Sequence, residues 1–186
     1  MKGEYTKTIF LVYKDKMNLK DKIRVIEDFP EPGISFKDIT TVLKDPLCLK
    51  EVITQMTDMF SDLEVDIVVG PESRGFIFGT PVAFNMGAGF VPVRKPGKLP
   101  AETVKHEYSL EYGKDALEIH KDAIEKGMKV IVIDDLLATG GTVSATAKLI
   151  EKLGGEVVGL GFFIELLDLN GREKLTQYNV KSIVTY

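Results

Sequence analysis

The sequence has few of the residues on which disulfide and metal sites depend. It contains one cysteine, Cys48, and two histidines among 186 residues. Neither an internal disulfide framework nor a dense zinc site is therefore available. Cys48 falls in a helical apolar pattern, so we expect a small core residue there rather than a nucleophile. A single cysteine also fits a reducing compartment, and we expect a cytoplasmic protein.

Long apolar runs and an excess of basic residues are also missing. No run approaches the ~20 apolar residues that a membrane span needs, and no signal-peptide pattern occurs at the N-terminus. The net charge is −4, which argues against a nucleic-acid surface. We therefore expect neither a membrane nor a nucleic acid as partner. With 44% hydrophobic residues the chain can bury the core of one domain.

Apolar strands alternate with amphipathic helices along most of the chain. The β-branched run at 130–133 predicts a strand buried on both faces. Further strands are predicted at 66–70, 90–93, 156–165 and 182–186, and helices at 45–60, 74–87 and 143–153. Leu19, Ile23 and Ile26 are also spaced as on a helix. The alternation predicts an α/β fold whose mostly parallel sheet is flanked by helices.

The stretch 129–142, KVIVIDDLLATGGT, joins a buried strand, an acid pair and a loop of small residues. Ligands bind open α/β sheets where strands end and helices begin. Backbone N–H groups and hydroxyls of the loop can bind one anion at the helix N-terminus. We call this loop the phosphate cup, and it consists of Ala138, Thr139, Gly140, Gly141 and Thr142. Asp134 and Asp135 suit vicinal hydroxyls or a cation instead, so the stretch predicts a ribose 5-phosphate site.

A second loop with this layout follows the strand predicted at 66–70. Its sequence, GPESRG, offers backbone N–H groups together with Glu72, Ser73 and Arg74. Alone it could be an ordinary turn between a strand and a helix. Two anion sites at the ends of parallel strands, however, suit a substrate with a phosphate at one end and a diphosphate at the other.

A basic run with Arg94, Lys95 and Lys98 follows the strand predicted at 90–93. An exposed charged loop is the simpler explanation, but this run directly follows a buried strand in an acidic protein, and a polyanionic substrate needs such compensation. Residues 95–114 are polar, charged and without periodicity, which is typical of a mobile lid.

These motifs resemble those of the adenine-specific branch of the type I phosphoribosyltransferase family. GPESRGF, RKPGKLP, YSLEYG and DDLLATGGT occur in the order found in that family. The resemblance covers residues 18–186 and implies the type I phosphoribosyltransferase fold. It places a small base-binding hood at about 28–40 and a flexible lid loop at about 95–114. We therefore expect a phosphoribosyltransferase domain at 17–186, and an N-terminal extension at 1–16 that is dispensable.

The resemblance also implies roles for individual residues around the phosphates. Asp134, Asp135 and the phosphate cup would bind the ribose and its 5-phosphate. The pyrophosphate would be bound by Glu72, Ser73, Arg74, Arg94, Lys95 and Lys98. A cis peptide bond is implied between Glu72 and Ser73. In the lid, Glu111 would be the general acid/base, and Tyr112 would close over the site.

Roles around the base follow from the same resemblance. Backbone groups of Ser35 and Lys37 would recognise the edge of the base, and Phe36 would stack on it. Glu165 and Leu166 would line its other side. Backbone donors and acceptors can distinguish a 6-amino from a 6-oxo purine.

The activity implied is transfer of phosphoribosyl from 5-phosphoribosyl 1-diphosphate to adenine, giving AMP and pyrophosphate in purine salvage. Mg²⁺ is the implied cofactor, held by substrate oxygens and water rather than by dedicated protein ligands. A homodimer is the implied assembly.

Two other functions stay open from the residues. A regulatory module with this fold would bind nucleotides without turnover, but it would need no lid acid such as Glu111. An enzyme for another purine, such as hypoxanthine or xanthine, would differ in the hood. A binding screen across purines would separate these alternatives.

Overall fold

The computed structural model describes residues 17–109 and 114–186. Contacts divide the chain after Val52 into two units. The first unit contains a 3₁₀ turn, a two-stranded antiparallel sheet and a short helix. These elements are the turn Leu19–Lys22, β1 (Arg24–Ile26), β2 (Phe36–Asp38) and α1 (Thr40–Leu43). Helix α2 (Pro46–Asp58) begins in the first unit and ends in the second.

The second unit contains the remaining strands and helices. In chain order they are β3 (Ile67–Pro71), α3 (Arg74–Met86), β4 (Gly89–Val93), β5 (Thr103–Ser109), β6 (Lys114–His120), β7 (Lys129–Leu137), α4 (Gly141–Leu153), β8 (Glu156–Glu165) and β9 (Val180–Thr185). Strands β5 and β6 pair with each other as an antiparallel hairpin.

The main sheet has the strand order β4-β3-β7-β8-β9, and all of its pairings are parallel. The predicted α/β fold with a mostly parallel sheet is therefore confirmed. β7 lies between β3 and β8, and Val69 of β3 is in register with Val132 of β7. Because neighbouring parallel strands end at the same edge, the loops after β3 and β7 emerge side by side.

The core lies on both faces of β7, as its run of β-branched residues predicts. Val130 and Val132 belong to a buried cluster with Leu149 and Ile150 of α4. The alternate residues of the strand, Ile131 and Ile133, are also fully buried, because successive side chains of a strand point to opposite faces. Helices on both faces therefore hold the carboxyl end of β7 in a fixed position.

Two expectations about secondary structure were wrong. Leu19, Ile23 and Ile26 do not share one helix, since the 3₁₀ turn ends at Lys22 and β1 follows. Pairing with β2, which brings Arg24 within 3.3 Å of Asp38, outweighs the helical spacing. Part of the segment 95–114, expected without regular structure, forms β5.

The signal for β5 was an alternation that the charged residues obscured. Val104 and Tyr108 pack against the core, whereas Lys105 and Glu107 between them are exposed. Residues 1–16 and 110–113 lie outside the described residues, so the extension and the tip of the lid stay predictions. Across 17–109 and 114–186, no helix is long and apolar enough to cross a membrane.

Candidate active site

The phosphate cup lies between β7 and α4. β7 continues to Leu137 because it keeps pairing with β8 as far as Glu165. Asp134 and Asp135 therefore both lie within the strand, which continues two residues beyond the acid pair. Gly140 has a φ of 76°, in the left-handed region, and α4 begins at the next residue of the cup, Gly141. The first backbone N–H groups of α4 lack partners within the helix, which suits them to an anion.

The loops after β3 and β7 share one cavity of about 250 Å³. Glu72, Ser73 and Arg74 line one part of it. The remainder is lined by Asp134, Asp135, Leu136, Leu137, the phosphate cup and Val143. The structure thus brings together, in one cavity, the acid pair and the two loops that the sequence predicted as separate anion sites.

Asp135 is buried, Asp134 is half-buried, and the pair has a cationic partner. Nε of Arg74 lies 2.8 Å from Oδ2 of Asp135, and the backbone N–H of Asp135 donates to Oδ1 of Asp134 at 2.8 Å. Burial, together with the neighbouring Asp135 carboxylate, raises the pKa of Asp134 well above its ordinary value. Burial also raises the pKa of Asp135, although Arg74 opposes it. Such a pair favours a ligand that donates protons or carries positive charge.

A glycine that the sequence analysis did not select allows the two loops to approach. A Cβ at Gly75 would lie 3.1 Å from Oδ1 of Asp134 and 2.9 Å from the Pro71 ring. Any side chain there would push the first turn of α3 away from the end of β7. The signal was present in the sequence as Ser-Arg-Gly at the start of the predicted helix.

Glu72 forms ion pairs with two residues of the basic run. Its carboxylate accepts from Nε of Arg94 at 2.7 Å and from Nζ of Lys98 at 2.8 Å. Burial of this carboxylate raises its pKa, but the hydrogen bonds from Lys98 and Arg94 outweigh burial and leave the pKa of Glu72 below its ordinary value. The peptide bond between Glu72 and Ser73 is cis, as predicted. The ionised Glu72 carboxylate thus holds Arg94 and Lys98 of the basic run beside the loop after β3.

Lys95, the third member of the basic run, is paired elsewhere. Its Nζ lies 2.9 Å from Oδ2 of Asp115 at the start of β6. None of the three residues of the basic run lines the cavity described above.

A segment after β8 supports the phosphate cup from behind, which the sequence analysis missed. A Cβ at Gly171 would lie 2.2 Å from the carbonyl oxygen of Ala138, and one at Gly140 would lie 2.6 Å from the carbonyl oxygen of Gly171. Glycine is therefore required at both positions by close backbone approach. Glycine at position 140 is therefore needed for the backbone contact with Gly171, in addition to any role in binding a ligand.

Glu165, predicted to line the base, has its carboxylate engaged within the protein. It is 3% exposed, accepts two hydrogen bonds from Arg172 at 2.5 and 2.7 Å, and one from Ser182 at 2.6 Å. The hydrogen bonds from Arg172 hold the pKa of Glu165 below its ordinary value, against the effect of burial. Leu166 is half-buried and its backbone N–H donates to Leu137.

The predicted hood lies in the first unit and consists of the loop between β1 and β2 together with β2 itself. Phe36 meets Phe29 edge to face, with ring centroids 5.3 Å apart. Nζ of Lys37 donates to Oγ of Ser35 at 2.7 Å, and Ser35 in turn donates to Glu27 at 3.2 Å. These contacts join the loop before β2 to the start of that strand, where the three residues predicted to bind the base lie. Glu111 and Tyr112 lie outside the described residues.

Comparison with known proteins agrees with this geometry. The phosphoribosyl transferase domain family matches residues 38–185. An adenine phosphoribosyltransferase of Clostridium perfringens is 65% identical over 91% of this chain and 99% of its own. The chain belongs to the adenine phosphoribosyltransferase family. Enzymes of this family are pentosyltransferases, so the family membership predicted from the four motifs is confirmed.

Solved structures of adenine phosphoribosyltransferases have the same fold. The enzyme of Thermoanaerobacter pseudethanolicus is 53% identical, with a TM-score of 0.88 over 90% of this chain and 98% of its own. That of Saccharomyces cerevisiae, complexed with an imino-altritol bisphosphate and adenine, is 40% identical, with a TM-score of 0.83 over 88% of this chain and 95% of its own. The type I phosphoribosyltransferase fold implied by the motifs is therefore confirmed.

Proposed function

We propose that this chain transfers the phosphoribosyl group of 5-phosphoribosyl 1-diphosphate to adenine, giving AMP and pyrophosphate. The observation that carries the proposal is that the acid pair, the phosphate cup and the Glu72–Arg74 loop line one cavity. A substrate that combines a ribose, a phosphate and a diphosphate matches these groups. The names of its relatives point to adenine as the acceptor.

The phosphate cup binds the 5-phosphate in this proposal. Backbone N–H groups at the start of α4 and the hydroxyls of Thr139 and Thr142 are donors, and the helix dipole favours the negative charge. Gly140 and Gly141 leave room for the phosphate oxygens.

Asp134 and Asp135 bind the ribose hydroxyls and act on the reacting carbon. As the bond to diphosphate breaks, positive charge develops at C1 of the ribose, and preorganised negative groups stabilise it. Arg74 holds the Asp135 carboxylate at 2.8 Å, so the acid does not have to reorganise during the reaction. The ionised form of this pair is the form that stabilises the transition state.

The leaving pyrophosphate interacts with the loop after β3 and with the basic run. Ser73 and the backbone of the loop supply neutral donors, and Arg94 and Lys98 supply charge from the positions at which Glu72 holds them. Because Glu72 occupies only part of each cation's hydrogen-bonding capacity, both can also donate to a phosphate oxygen.

Mg²⁺ is the proposed cofactor, and the residues present fit it. It prefers oxygen ligands, keeps several waters and needs few protein ligands. Over 17–109 and 114–186, no group of three or more His, Cys, Asp or Glu side chains could hold a metal ion. Substrate oxygens would therefore supply most ligands, and the acid pair would contact the water shell. When bound, the ion neutralises diphosphate charge and assists its departure.

Adenine is recognised, in this proposal, by the main chain of Ser35 and Lys37 and by stacking on Phe36. Glu165 and Leu166 contribute through their main chain, because the Glu165 carboxylate is engaged by Arg172 and Ser182. Glu111 is the proposed general acid/base for the purine, and Tyr112 the residue that closes over the reacting groups.

A cytoplasmic homodimer is the proposed assembly, and the exposed face of α3 supports it. Phe84 is 86% exposed and Ile77 is 41% exposed. They lie seven residues apart on one helix, and therefore on one face. Light scattering after gel filtration measures the assembly, and a monomer at micromolar concentration would contradict it.

A turnover assay with 5-phosphoribosyl 1-diphosphate and single bases tests the function. We expect kcat/KM for adenine to exceed that for hypoxanthine, guanine and xanthine by at least ~10²-fold, as sites that hydrogen-bond one edge of a ligand can achieve. Chelation of Mg²⁺ should abolish turnover, and excess Mg²⁺ should restore it. Comparable turnover of hypoxanthine would assign the enzyme to another base, and binding without turnover would favour a regulatory module.

A further inference from the structure

Two hydrogen bonds and a ring contact link the basic run to the phosphate cup through the β5–β6 hairpin. Nζ of Lys95 lies 2.9 Å from Oδ2 of Asp115. The Tyr108 hydroxyl donates to the same carboxylate oxygen at 3.4 Å. Tyr108 in turn lies against the phosphate cup at Gly141. Lys95 and the phosphate cup, which are proposed to bind opposite ends of one substrate, are thereby connected.

The Tyr108 ring lies against the phosphate cup as well. A Cβ at Gly141 would be 3.5 Å from two carbons of that ring. The other side of Tyr108 packs against the hydrophobic core, so the ring is held from both sides. Burial raises the pKa of Tyr108, and its hydroxyl therefore stays protonated and able to donate to Asp115 near neutral pH.

We propose that Asp115 is a positioning residue for 5-phosphoribosyl 1-diphosphate, holding Lys95 on the diphosphate side and Tyr108 against the phosphate cup. The proposal rests on the proposed function and adds a residue to it. Asp115 acts through its two partners and does not touch the substrate itself.

The physical reason for this role is the conformational freedom of the Lys95 side chain. The Lys95 side chain is 55% exposed, and an unrestrained lysine loses rotamer entropy when it orders on a ligand. The ion pair with Asp115 restricts it beforehand. An ammonium group has three N–H donors, so Lys95 can keep Asp115 and still donate to a phosphate oxygen.

Asp115 also accepts from the backbone N–H of Ala116 at 2.8 Å, which offers a purely structural alternative. If Asp115 only stabilised the hairpin, its replacement would lower the melting temperature and affect both substrates alike. A positioning role predicts a change for the phosphorylated substrate alone.

Steady-state kinetics of Asp115→Asn tests the proposal. We expect KM for 5-phosphoribosyl 1-diphosphate to rise about tenfold, the factor that one hydrogen bond and one exposed ion pair together supply. kcat and KM for adenine should stay within about twofold of the wild type, and the melting temperature should not fall. The matched control is Glu102→Gln, which breaks the exposed ion pair with Lys121 at the other end of the hairpin and should leave all three constants unchanged.

A double-mutant cycle with Tyr108→Phe examines the connection itself. Tyr108→Phe should raise the same KM about threefold, and the double variant should be no worse than Asp115→Asn alone, because that change already removes the negative charge on which both interactions depend. An additive rise of about thirtyfold, an unchanged KM in Asp115→Asn, or a common loss of kcat and melting temperature would each overturn the proposal.

Calorimetry with pyrophosphate alone keeps this test separate from that of the proposed function, since no base and no turnover are involved. The wild type should bind pyrophosphate several-fold more tightly than Asp115→Asn, whereas Glu102→Gln should match the wild type. Equal affinities of the wild type and Asp115→Asn, or no binding by the wild type, would overturn the role of Asp115.

Discussion

Nε of Arg74 lies 2.8 Å from Oδ2 of Asp135, which ties the first residue of α3 to the carboxyl end of β7. The arginine was predicted to bind pyrophosphate, and the aspartate to bind ribose. Their contact means that the two loops are coupled before any ligand binds. Since Asp135 is 5% exposed, loss of Arg74 would leave the charge of Asp135 poorly compensated.

Replacement of Asp135 should impair catalysis far more than folding. Asp135→Asn keeps the shape of the side chain but removes the charge opposite the developing positive carbon. We expect kcat/KM to fall by about 10²–10³, as for other electrostatic groups of this kind. The melting temperature should stay close to that of the wild type, because burial already disfavours the charge. Asp122→Asn, an exposed acid after β6, is the control, and near-full activity of Asp135→Asn would show that the carboxylate has no such role.

Gly141→Val should abolish binding of the 5-phosphate while the fold remains. A Cβ at Gly141 makes only ordinary contacts with the Tyr108 ring at 3.5 Å, so the unliganded protein can accommodate it. The added methyl groups would occupy space in the phosphate cup. Calorimetry with ribose 5-phosphate should show at least a tenfold weaker affinity, equivalent to about 1.4 kcal/mol. Unchanged affinity for AMP in this variant would exclude the cup as the phosphate site.

Gly171→Ala should distort the phosphate cup from behind. Its Cβ would lie 2.2 Å from the carbonyl oxygen of Ala138, a contact that the backbone must move to relieve. We expect a loss of about 1–3 kcal/mol in unfolding free energy, typical of overpacking, together with a higher KM for 5-phosphoribosyl 1-diphosphate. The control is Gly89→Ala, whose Cβ meets only the flexible end of Ile67. Equal effects of the two variants on that KM would contradict the assignment.

The Glu165–Arg172 ion pair should make stability depend on pH. The pKa of Glu165 is lower in the folded than in the unfolded protein, so its contribution is complete above the unfolded value of about 4.5. It is lost as the pH falls through the folded pKa. At pH 7 the wild type should be more stable than Glu165→Gln by about 1–2 kcal/mol, since Arg172 is half exposed. Urea unfolding from pH 7 to pH 3 measures the difference, which should shrink below pH 4.5, and a constant difference would refute this.

Phe36→Ala should weaken every base to a similar extent. Stacking contributes area and ring contact that do not depend on the edge of the purine, so we expect KM to rise about tenfold for each base that is turned over. Lys37→Ala should retain the preference for adenine, because the main chain is proposed to recognise the base. A loss of preference in Lys37→Ala would assign recognition to the side chain instead.

Much of the fold was predictable because local sequence and burial agree. The β-branched run at 130–133 is buried on both faces, and Glu156–Glu165 is a strand with the predicted bounds. Failures came where an element depends on a distant partner. β1 and β5 carry weak local signals, and pairing with β2 and β6 decides them.

By itself, the sequence determined the five strands of the main sheet and their order along the chain, the acid pair at the end of a buried strand and the glycine-rich loop after it. Periodicity and residue type are local properties, and they suffice for these features. Only the tertiary structure decided that Arg74 pairs with Asp135, that Glu72 holds Arg94 and Lys98, and that Gly171 supports the phosphate cup. Such contacts depend on which strands lie side by side and on how closely their loops approach. The residue pattern along the chain contains neither piece of information.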